Sequence, residues 1–246
     1  MKKKTVFLAG HNGMVGKSLH KLLLKKKFGK IITANRQKLN LENTNKVYKF
    51  IKKNKPHIII NCAGKVGGIM ANKTYPTQFL NENIQIQSNL IKSAHLNNIE
   101  HFINLGSSCI YPKKSKQPIK ENYLLTGSLE KTNEAYALAK IIGLKMCEFY
   151  NKQYQKTYLT LMPCNLYGPN DNFDSQNSHM VPAMIKKIIL NNNTKNEPIE
   201  IWGNGKPKRE IMHVDDLAAA VLFIIRKKIK NDKDFLKKIR LSPVIN

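Results

Sequence analysis

Several features of membrane, secreted and metal-binding proteins are missing from this sequence of 246 residues. No apolar run approaches the roughly 18–20 residues of a membrane-spanning helix. The apolar run at residues 5–10 is too short for a secretion signal, so we expect a cytoplasmic protein. The four cysteines, Cys62, Cys109, Cys147 and Cys164, form no C-x-x-C pair, which disfavours a disulfide framework or a structural zinc site. The seven histidines form no H-x-x-x-H pair beside an acidic residue, so no metal site is predicted.

Acidic residues are scarce, because 16 Asp and Glu face 42 Lys and Arg, for a formal net charge of +26. Such a charge is the first sign of nucleic-acid binding. The lysines are spread along the whole chain, however, with nine in residues 1–30. We interpret them as a solvated surface that favours phosphate-bearing ligands, and expect neither a nucleic-acid nor a membrane partner. An RNA or membrane-surface binder is the alternative, and it predicts steep salt dependence.

Apolar runs alternate with amphipathic segments in the first two thirds of the chain. Strands are predicted at residues 5–9, 30–34, 57–62, 101–105 and 158–162, and helices at 17–27, 44–53, 78–96 and 134–153. This alternation predicts an α/β fold with a doubly wound parallel sheet of the Rossmann type. Beyond it we predict a loop at 163–178, a helix at 180–190, a strand at 199–201 and a helix at 214–227. These later elements predict a smaller second lobe.

Three glycines, Gly10, Gly13 and Gly16, connect the first strand to the first helix. Glycines at such a turn allow a tight bend, and the helix N-terminus that follows can bind a pyrophosphate. The spacing is G-x-x-G-x-x-G, and its strand–turn–helix context favours a dinucleotide. The second strand ends in Ala-Asn-Arg without the acid that usually binds the ribose of NAD, and Arg36 can pair with a 2′-phosphate. This favours NADPH, unless Arg36 is simply a surface residue.

A tyrosine and a lysine follow at Y-x-x-x-K spacing in the predicted helix 134–153. Tyr136 and Lys140 therefore share one helix face. An ammonium near a phenol favours the phenolate, so we expect Lys140 to lower the pKa of Tyr136. Ser107 follows the strand 101–105, at the edge where open α/β sheets bind ligands. This order of Ser, Tyr and Lys behind a glycine turn resembles the extended short-chain dehydrogenases/reductases.

Longer motifs narrow the resemblance to the GDP-L-fucose synthases within that superfamily. They occur in order as AGKVGGI at 63–69, LGSSCIYPK at 105–113, NEAYALAK at 133–140, MPCNLYGPNDNF at 162–173, SHMVP at 178–182, WGNG at 202–205 and REIMHVDD at 209–216. The resemblance covers residues 5 to about 220. It implies NADPH-dependent epimerisation of C3 and C5 of GDP-4-keto-6-deoxy-mannose, followed by reduction of C4.

The resemblance implies a role for each of five catalytic side chains. Tyr136 would donate a proton to O4, Lys140 would hold the ribose, and Ser107 would hold the carbonyl oxygen. Cys109 and His179 would be the acid and base of epimerisation, although alone they would be interpreted as a small buried residue and a helix cap. The cofactor contacts that it implies are Gly10, His11, Asn12, Gly13, Met14, Val15, Gly16, Arg36, Leu105, Gly106, Ser108, Lys140, Pro163, Cys164, Asn165, Leu166 and His179.

GDP-sugar contacts are implied at Lys187, Trp202 and Arg209. Alone, these would be a solvated lysine, a core tryptophan and an arginine paired with a neighbouring acid. Residues 242–246 look like the start of a strand, and family members continue beyond this point. We therefore expect a C-terminally truncated homologue with an NADP-binding domain at 1–165, an incomplete substrate lobe at 166–246, and exposed apolar surface around 221–225.

The resemblance also implies a homodimer formed through the predicted helices 78–96 and 134–153. Two readings compete with the epimerase–reductase. One is another NAD(P)-dependent nucleotide-sugar epimerase or dehydratase, which would not need the Cys109–His179 pair. The other is a catalytically inactive fragment that still binds the cofactor.

Overall fold

In the computed structural model, residues 4–174, 178–192, 198–199, 201, 204–206, 208–230 and 232–246 are described. The strands are β1 (Lys4–Ala9), β2 (Gly29–Ile32), β3 (Ile58–Asn61), β4 (His101–Leu105), β5 (Leu159–Leu161), β6 (Asn165–Tyr167), β7 (Ile211–His213) and β8 (Val244–Ile245). The α-helices are α1 (Met14–Lys25), α2 (Thr44–Asn54), α3 (Ile69–Thr74), α4 (Pro76–Leu96), α5 (Glu134–Tyr154), α6 (Met180–Asn192), α7 (Val214–Ile229) and α8 (Lys233–Leu241). Short 3-10 helices occupy Ser108–Ile110, Glu121–Tyr123 and Lys131–Asn133.

Six strands form one parallel sheet in the order β2-β1-β3-β4-β5-β8. The register places Asn61 of β3 directly beside Asn104 of β4. Connections between the strands run through helices on both faces, as parallel pairing requires. The predicted doubly wound α/β fold is therefore confirmed.

Alternate residues of each central strand enter two separate hydrophobic cores, one on each face of the sheet. Val6 and Leu8 of β1 pack in the core beneath α1 and α7, whereas Phe7 and Ala9 pack in the core beneath α2, α4 and α5. The same alternation runs through β3, where Ile59 alone faces the second core. Burial on both faces explains the uninterrupted apolar runs of the sequence.

Helix α7 returns to this sheet, which corrects one expectation. Val221, Leu222, Ile224 and Ile225 are buried against α1 and the sheet, so the expected exposed apolar surface there is wrong. Only Phe223 of this stretch is exposed, with 60% of its surface accessible. The acidic first turn and basic last turn of α7 match the helix dipole.

The chain after residue 165 contributes to two sheets. β6 and β7 form a separate parallel pair. β6 lies within residues 163–178, which were predicted to be a loop. β8 pairs with β5 at the edge of the main sheet, which confirms the terminal strand. Ile199 and Ile201 lie outside any strand, so their described part of the predicted strand 199–201 is not confirmed.

The predicted domain boundary at residue 165 stays a prediction. The structure adds that α7, α8 and β8, which follow this boundary, pack with the main sheet or its helices. Within the described part of the chain, no helix has both the length and the apolar character needed to cross a membrane.

Candidate active site

The carboxyl ends of the parallel strands meet at one edge of the sheet, and the predicted site residues follow them. Gly10 follows β1, Cys62 follows β3 and Gly106 follows β4. The strand order reverses at this point, because the chain places β2 on one side of β1 and β3 on the other. Open α/β sheets bind ligands outside such a switch point.

The glycine turn after β1 is tightly constrained. Gly10 has a φ of +78°, and the Gly13 N–H donates to the Gly10 carbonyl at 3.2 Å. A Cβ on Gly16 would lie 2.1 Å from the Gly10 carbonyl oxygen, so a side chain there would displace the turn. Gly13 precedes α1 without a capping side chain. The first-turn N–H groups of α1 are therefore free of side-chain capping and can bind a phosphate.

Neighbouring residues complete this turn. The His11 ring lies 6.3 Å from that of His20, and burial together with His20 lowers the pKa of His11. Asn12 is exposed and Met14 is half-buried. Val15 packs against the core beneath α1. The turn is thus held to the core by Val15, while Asn12 stays accessible to solvent.

Arg36 lies shortly after β2 and is highly exposed. Its guanidinium donates to the Glu42 carboxylate at 2.7 Å, and 74% of its side-chain surface is accessible. Exposed pairs of this kind contribute little to stability. The guanidinium can therefore exchange this carboxylate for a phosphate at small cost.

Tyr136 and Lys140 lie on one face of α5, as their spacing predicts. The Lys140 ammonium nitrogen is 5.4 Å from the centre of the Tyr136 ring. It donates to the Leu105 carbonyl at the end of β4, at 2.8 Å. The Tyr136 ring meets the Phe79 ring edge-on at 6.2 Å. These contacts place α5 directly over the carboxyl end of β4.

The expected lowering of the Tyr136 pKa by Lys140 is wrong. Burial raises the pKa of Tyr136 well above its ordinary value, and charge on Cys109 would raise it further. The Lys140 ammonium points to a backbone carbonyl instead of the phenol oxygen. The phenol is therefore a proton donor at neutral pH.

Lys140 is itself strongly affected by burial. Only 4% of its surface is accessible, and burial lowers its pKa to about 8. Negative charge on Cys109 or Cys62 would oppose this shift. Burial raises the pKa of Cys62 to about 12, so this thiol stays protonated. Lys140 consequently retains a positive charge at neutral pH but loses it in mild alkali.

Ser107 and Cys109 form the start of the 3-10 helix Ser108–Ile110. The Ser107 hydroxyl accepts a hydrogen bond from the Cys109 N–H at 3.4 Å. Burial raises the pKa of the Cys109 thiol, whereas the Ser107 hydrogen bond and Lys140 act against the shift. The structure thus brings together four of the five predicted catalytic residues: Ser107, Cys109, Tyr136 and Lys140.

His179 stands directly before α6. Burial lowers the pKa of its imidazole, and the charge of Asp171 opposes this shift. Its carbonyl accepts from the Ala183 N–H at 3.0 Å, which continues the first turn of α6. A catalytic position opposite Cys109 stays a prediction.

Backbone hydrogen bonds join the predicted cofactor segments after β4 and β5. The Ser108 N–H donates to the Pro163 carbonyl at 3.1 Å, and the Gly106 N–H donates to the Leu161 carbonyl at 2.8 Å. A Cβ on Gly106 would lie 2.4 Å from the Met162 sulfur, so this glycine permits the close approach.

The loop that continues from Pro163 leads into β6. Burial raises the pKa of Cys164, and the Asn165 amide donates to the Glu210 carbonyl at 3.0 Å. Leu166 packs against the core beneath α1. A backbone that crosses the sheet edge here can cover a bound dinucleotide.

The residues predicted to bind the GDP-sugar all follow β6 in the chain. Lys187 lies on α6 and is half-buried. Arg209 is exposed, and its guanidinium donates to the Lys208 carbonyl at 3.1 Å. Trp202 lies outside the described residues. Their substrate contacts stay predictions.

Sequence reasoning missed four buried amide side chains behind the catalytic helix. Asn61, Asn83, Gln87 and Asn104 are each at most 1% exposed. The available signal was an asparagine in each of two mostly apolar strands, at Asn61 and Asn104. A polar residue in a strand buried on both faces needs hydrogen-bond partners and indicates a buried network.

The chain matches the NAD dependent epimerase/dehydratase family over residues 6–236. It is 45% identical over 225 residues to the GDP-L-fucose synthase of Escherichia coli (strain K12), which covers 92% of this chain and 70% of the relative. It is also 45% identical over 221 residues to the GDP-L-colitose synthase of Yersinia pseudotuberculosis, covering 89% of this chain and 71% of that protein.

A solved structure shares both the fold and substantial sequence. The GDP-D-glycero-L-gluco-heptose synthase from Campylobacter jejuni, crystallised in the presence of NADPH, superposes with a TM-score of 0.84 at 33% identity. The match covers 92% of this chain and 75% of that protein.

Proposed function

Because the chain belongs to the NAD dependent epimerase/dehydratase family, we propose that it is an NADPH-dependent enzyme that converts GDP-4-keto-6-deoxy-mannose into GDP-L-fucose. The observation that carries this proposal is the clustering of Ser107, Cys109, Tyr136 and Lys140 at the same edge of the sheet as the glycine turn. Such a cluster suits epimerisation at C3 and C5 followed by reduction at C4.

The residues around the switch point fit NADPH. The glycine turn has no room for a side chain at Gly16, and α1 directs uncapped N–H groups toward a pyrophosphate. Arg36 would exchange Glu42 for the 2′-phosphate, since a guanidinium pairs well with phosphate oxygens. Lys140 would donate to the ribose hydroxyls. When bound, NADPH supplies the hydride for C4.

Reduction of C4 needs a proton at O4. The raised pKa of Tyr136 keeps the phenol protonated, so its O–H can donate to the ketone and transfer the proton. The Ser107 hydroxyl would hold the same oxygen. The Lys140 ammonium donates to the Leu105 carbonyl, so Tyr136 and not Lys140 would deliver this proton.

Epimerisation uses the acidity of the protons at C3 and C5, both next to the ketone. One face of the sugar needs a base and the other an acid. The raised pKa of Cys109 keeps its thiol protonated, and the lowered pKa of His179 keeps its imidazole neutral. The pair therefore contains one group that can give a proton and one that can accept it. Ser107 and Tyr136 would stabilise the enediolate oxygen between the two steps.

A homodimer through α4 and α5 belongs to this proposal. Leu138, Ile142 and Phe149 are exposed and recur at helical spacing on α5. Such an apolar stripe favours a helix-on-helix interface. GDP-sugar contacts by Lys187, Trp202 and Arg209 and a cytoplasmic location stay predictions.

Incubation of the purified chain with NADPH and GDP-4-keto-6-deoxy-mannose tests the function. We expect loss of NADPH absorbance and formation of GDP-L-fucose, identified by NMR of the product. NADPH binding without turnover would instead indicate an inactive cofactor-binding protein. Turnover to a different GDP-sugar would favour another epimerase or reductase, a possibility raised by the equal identity to the relative named GDP-L-colitose synthase.

The epimerisation step predicts an effect of Cys109→Ala. Solvent deuterium incorporation at C3 and C5, followed by mass spectrometry, should fall about 100-fold because one proton carrier is lost. Cys147→Ala is the matched control, since it removes another buried thiol, which packs in the core beneath α2, α4 and α5. Equal losses in both variants would contradict an acid–base role for Cys109.

Cofactor choice predicts an effect of Arg36→Ala. The Kd for NADPH should rise about tenfold, while that for NADH should not change, because only NADPH carries the phosphate that the guanidinium binds. Isothermal titration measures both values. Lys38→Ala removes an equally positive, exposed side chain nearby and controls for net charge. If both cofactors weaken together in Arg36→Ala, phosphate recognition lies elsewhere.

A further inference from the structure

Three of the four amides missed by sequence reasoning form one hydrogen-bonded chain, which continues to the backbone of Asn83, and the four together are here called the amide network. Asn61 of β3 donates to Asn104 of β4 at 2.9 Å, and Asn104 donates to the Gln87 carbonyl oxygen at 3.0 Å. Gln87 of α4 donates to the Asn83 backbone carbonyl at 2.9 Å and to the Ala139 carbonyl of α5 at 3.1 Å. The network therefore links two strands to two helices.

Every polar atom of Gln87 has a partner. Its carbonyl oxygen accepts from Asn104, and its amide nitrogen makes both donations. Asn61 likewise accepts from the Ala63 N–H at 3.0 Å, in the loop after β3. A fully bonded buried amide holds its neighbours in one arrangement, because any shift leaves a donor or acceptor without a partner.

The network lies beside catalytic groups at two points. Ala139, which Gln87 contacts, directly precedes Lys140, and Asn104 directly precedes Leu105, whose carbonyl accepts from Lys140 at 2.8 Å. Asn83 accepts from the Lys65 N–H and donates to the Lys65 carbonyl, both at 3.0 Å. The network thus fixes α5 relative to β4 and to the loop after β3.

Two glycines provide the space that the network occupies. A Cβ on Gly143 of α5 would lie 2.0 Å from the Gln87 carbonyl oxygen and 3.0 Å from the Asn104 amide nitrogen. A Cβ on Gly64 would lie 2.6 Å from the side-chain oxygen of Asn83 and 3.7 Å from the Lys140 ammonium nitrogen. The helix backbone of α5 therefore packs directly on the Gln87 amide.

We infer that Gln87 is a positioning residue. It sets the distance between α5 and β4, and so holds Lys140 and Tyr136 in their catalytic positions. This inference rests on the proposed function for its catalytic consequence. Gln87 touches no reacting group itself. It acts through the Ala139 carbonyl, one residue before Lys140 and one helical turn after Tyr136.

Gln87→Met tests this role, because methionine retains the length of the side chain and removes its hydrogen bonds. We expect kcat for C4 reduction to fall about tenfold, since α5 is no longer held at one distance from β4. The KM for NADPH should rise less than kcat falls, because the glycine turn and Arg36 are untouched and only the Lys140 contact to the ribose is weakened.

Asn89→Leu is the matched control on the same helix. Asn89 is also a buried amide, but it donates to the Leu41 carbonyl at 2.9 Å and accepts from the Thr44 hydroxyl at 2.8 Å, on the α2 side of α4. We expect this variant to lose stability with kcat within about twofold of the unaltered chain. Equal loss of kcat in both variants would reduce Gln87 to a structural role and overturn the inference.

A second readout does not need turnover. NMR titration of the Lys140 Cε signal, assigned with Lys140→Met, reports the pKa that burial lowers to about 8. Gln87→Met should move this pKa upward, because a looser α5 admits water, and Asn89→Leu should leave it in place. An unchanged Lys140 pKa in Gln87→Met overturns the inference. Absence of turnover in the unaltered chain would contradict the proposed function alone.

Discussion

Tyr136→Phe is expected to lower the rate of C4 reduction about a thousandfold, because it removes the only proton that the phenol can deliver to O4. The side chain keeps its size, so its edge-on contact with Phe79 and its place above Lys140 are preserved. NADPH binding should therefore stay within about twofold, and the loss should appear in kcat. Loss of NADPH absorbance measures the rate, and fluorescence titration measures binding.

Tyr111→Phe is the matched control for this substitution. Tyr111 is also buried near the end of β4, but its hydroxyl donates to Asn246. Removing that hydroxyl should leave reduction within about twofold. If Tyr136→Phe reduces its substrate at the original rate, another group delivers the proton and the proposed role of Tyr136 fails.

Lys228→Met is expected to stabilise the fold by about 2 kcal/mol at neutral pH and to flatten its alkaline pH dependence. Lys228 is fully buried at the end of α7, and its ammonium donates to the Thr157 carbonyl. Burial lowers its pKa to about 7, against an ordinary value of 10.5, while negative charge on Cys147 or Glu100 opposes the shift. The folded chain therefore holds this proton less tightly than the unfolded chain does.

The direction of the pH effect follows from proton binding. Between about pH 7 and 10.5 the unfolded chain binds more protons at Lys228 than the folded chain, so the free energy of unfolding rises with pH in this window. Each such lysine contributes at most about 1.4 kcal/mol per pH unit. Lys140, with its pKa of about 8, contributes in the same direction. His101, whose pKa is lowered to about 3, acts only at lower pH.

Urea unfolding at about pH 7 and about pH 9 measures the slope. Lys227→Met is the control, because this neighbouring lysine is 42% exposed and pairs with Asp232 at 2.8 Å. It should leave the slope unchanged. A Lys228→Met variant that keeps the full slope would show that the buried ammonium is not its source.

The fold was predictable because its strands are buried on both faces. Residues 58–60, for example, are all isoleucine, and these alternate between the two cores. Longer amphipathic helices were predicted almost to the residue, as for α5 (Glu134–Tyr154). Short elements such as α3 and β6 were missed, since six or fewer residues carry too little periodicity to separate them from a loop.

The clustering of Ser107, Cys109, Tyr136 and Lys140 was predictable from the sequence, but its electrostatics were not. Spacing along a helix places Tyr136 and Lys140 on one face, yet it does not show how far each is buried or where the ammonium points. Burial raises the pKa of Tyr136, and the Leu105 carbonyl takes the ammonium. The amide network was missed for a related reason, because its partners come from four elements distant in sequence.

The absence of a side chain at Gly143 also couples this position to position 87 during evolution. The volume that a Cβ would need there is filled by the end of Gln87, which lies 56 residues earlier in the chain. A relative with alanine at the first position must therefore shorten or redirect the residue at the second. Paired substitution at these two sites is the genetic trace that such a contact leaves, and it can be read from sequences alone.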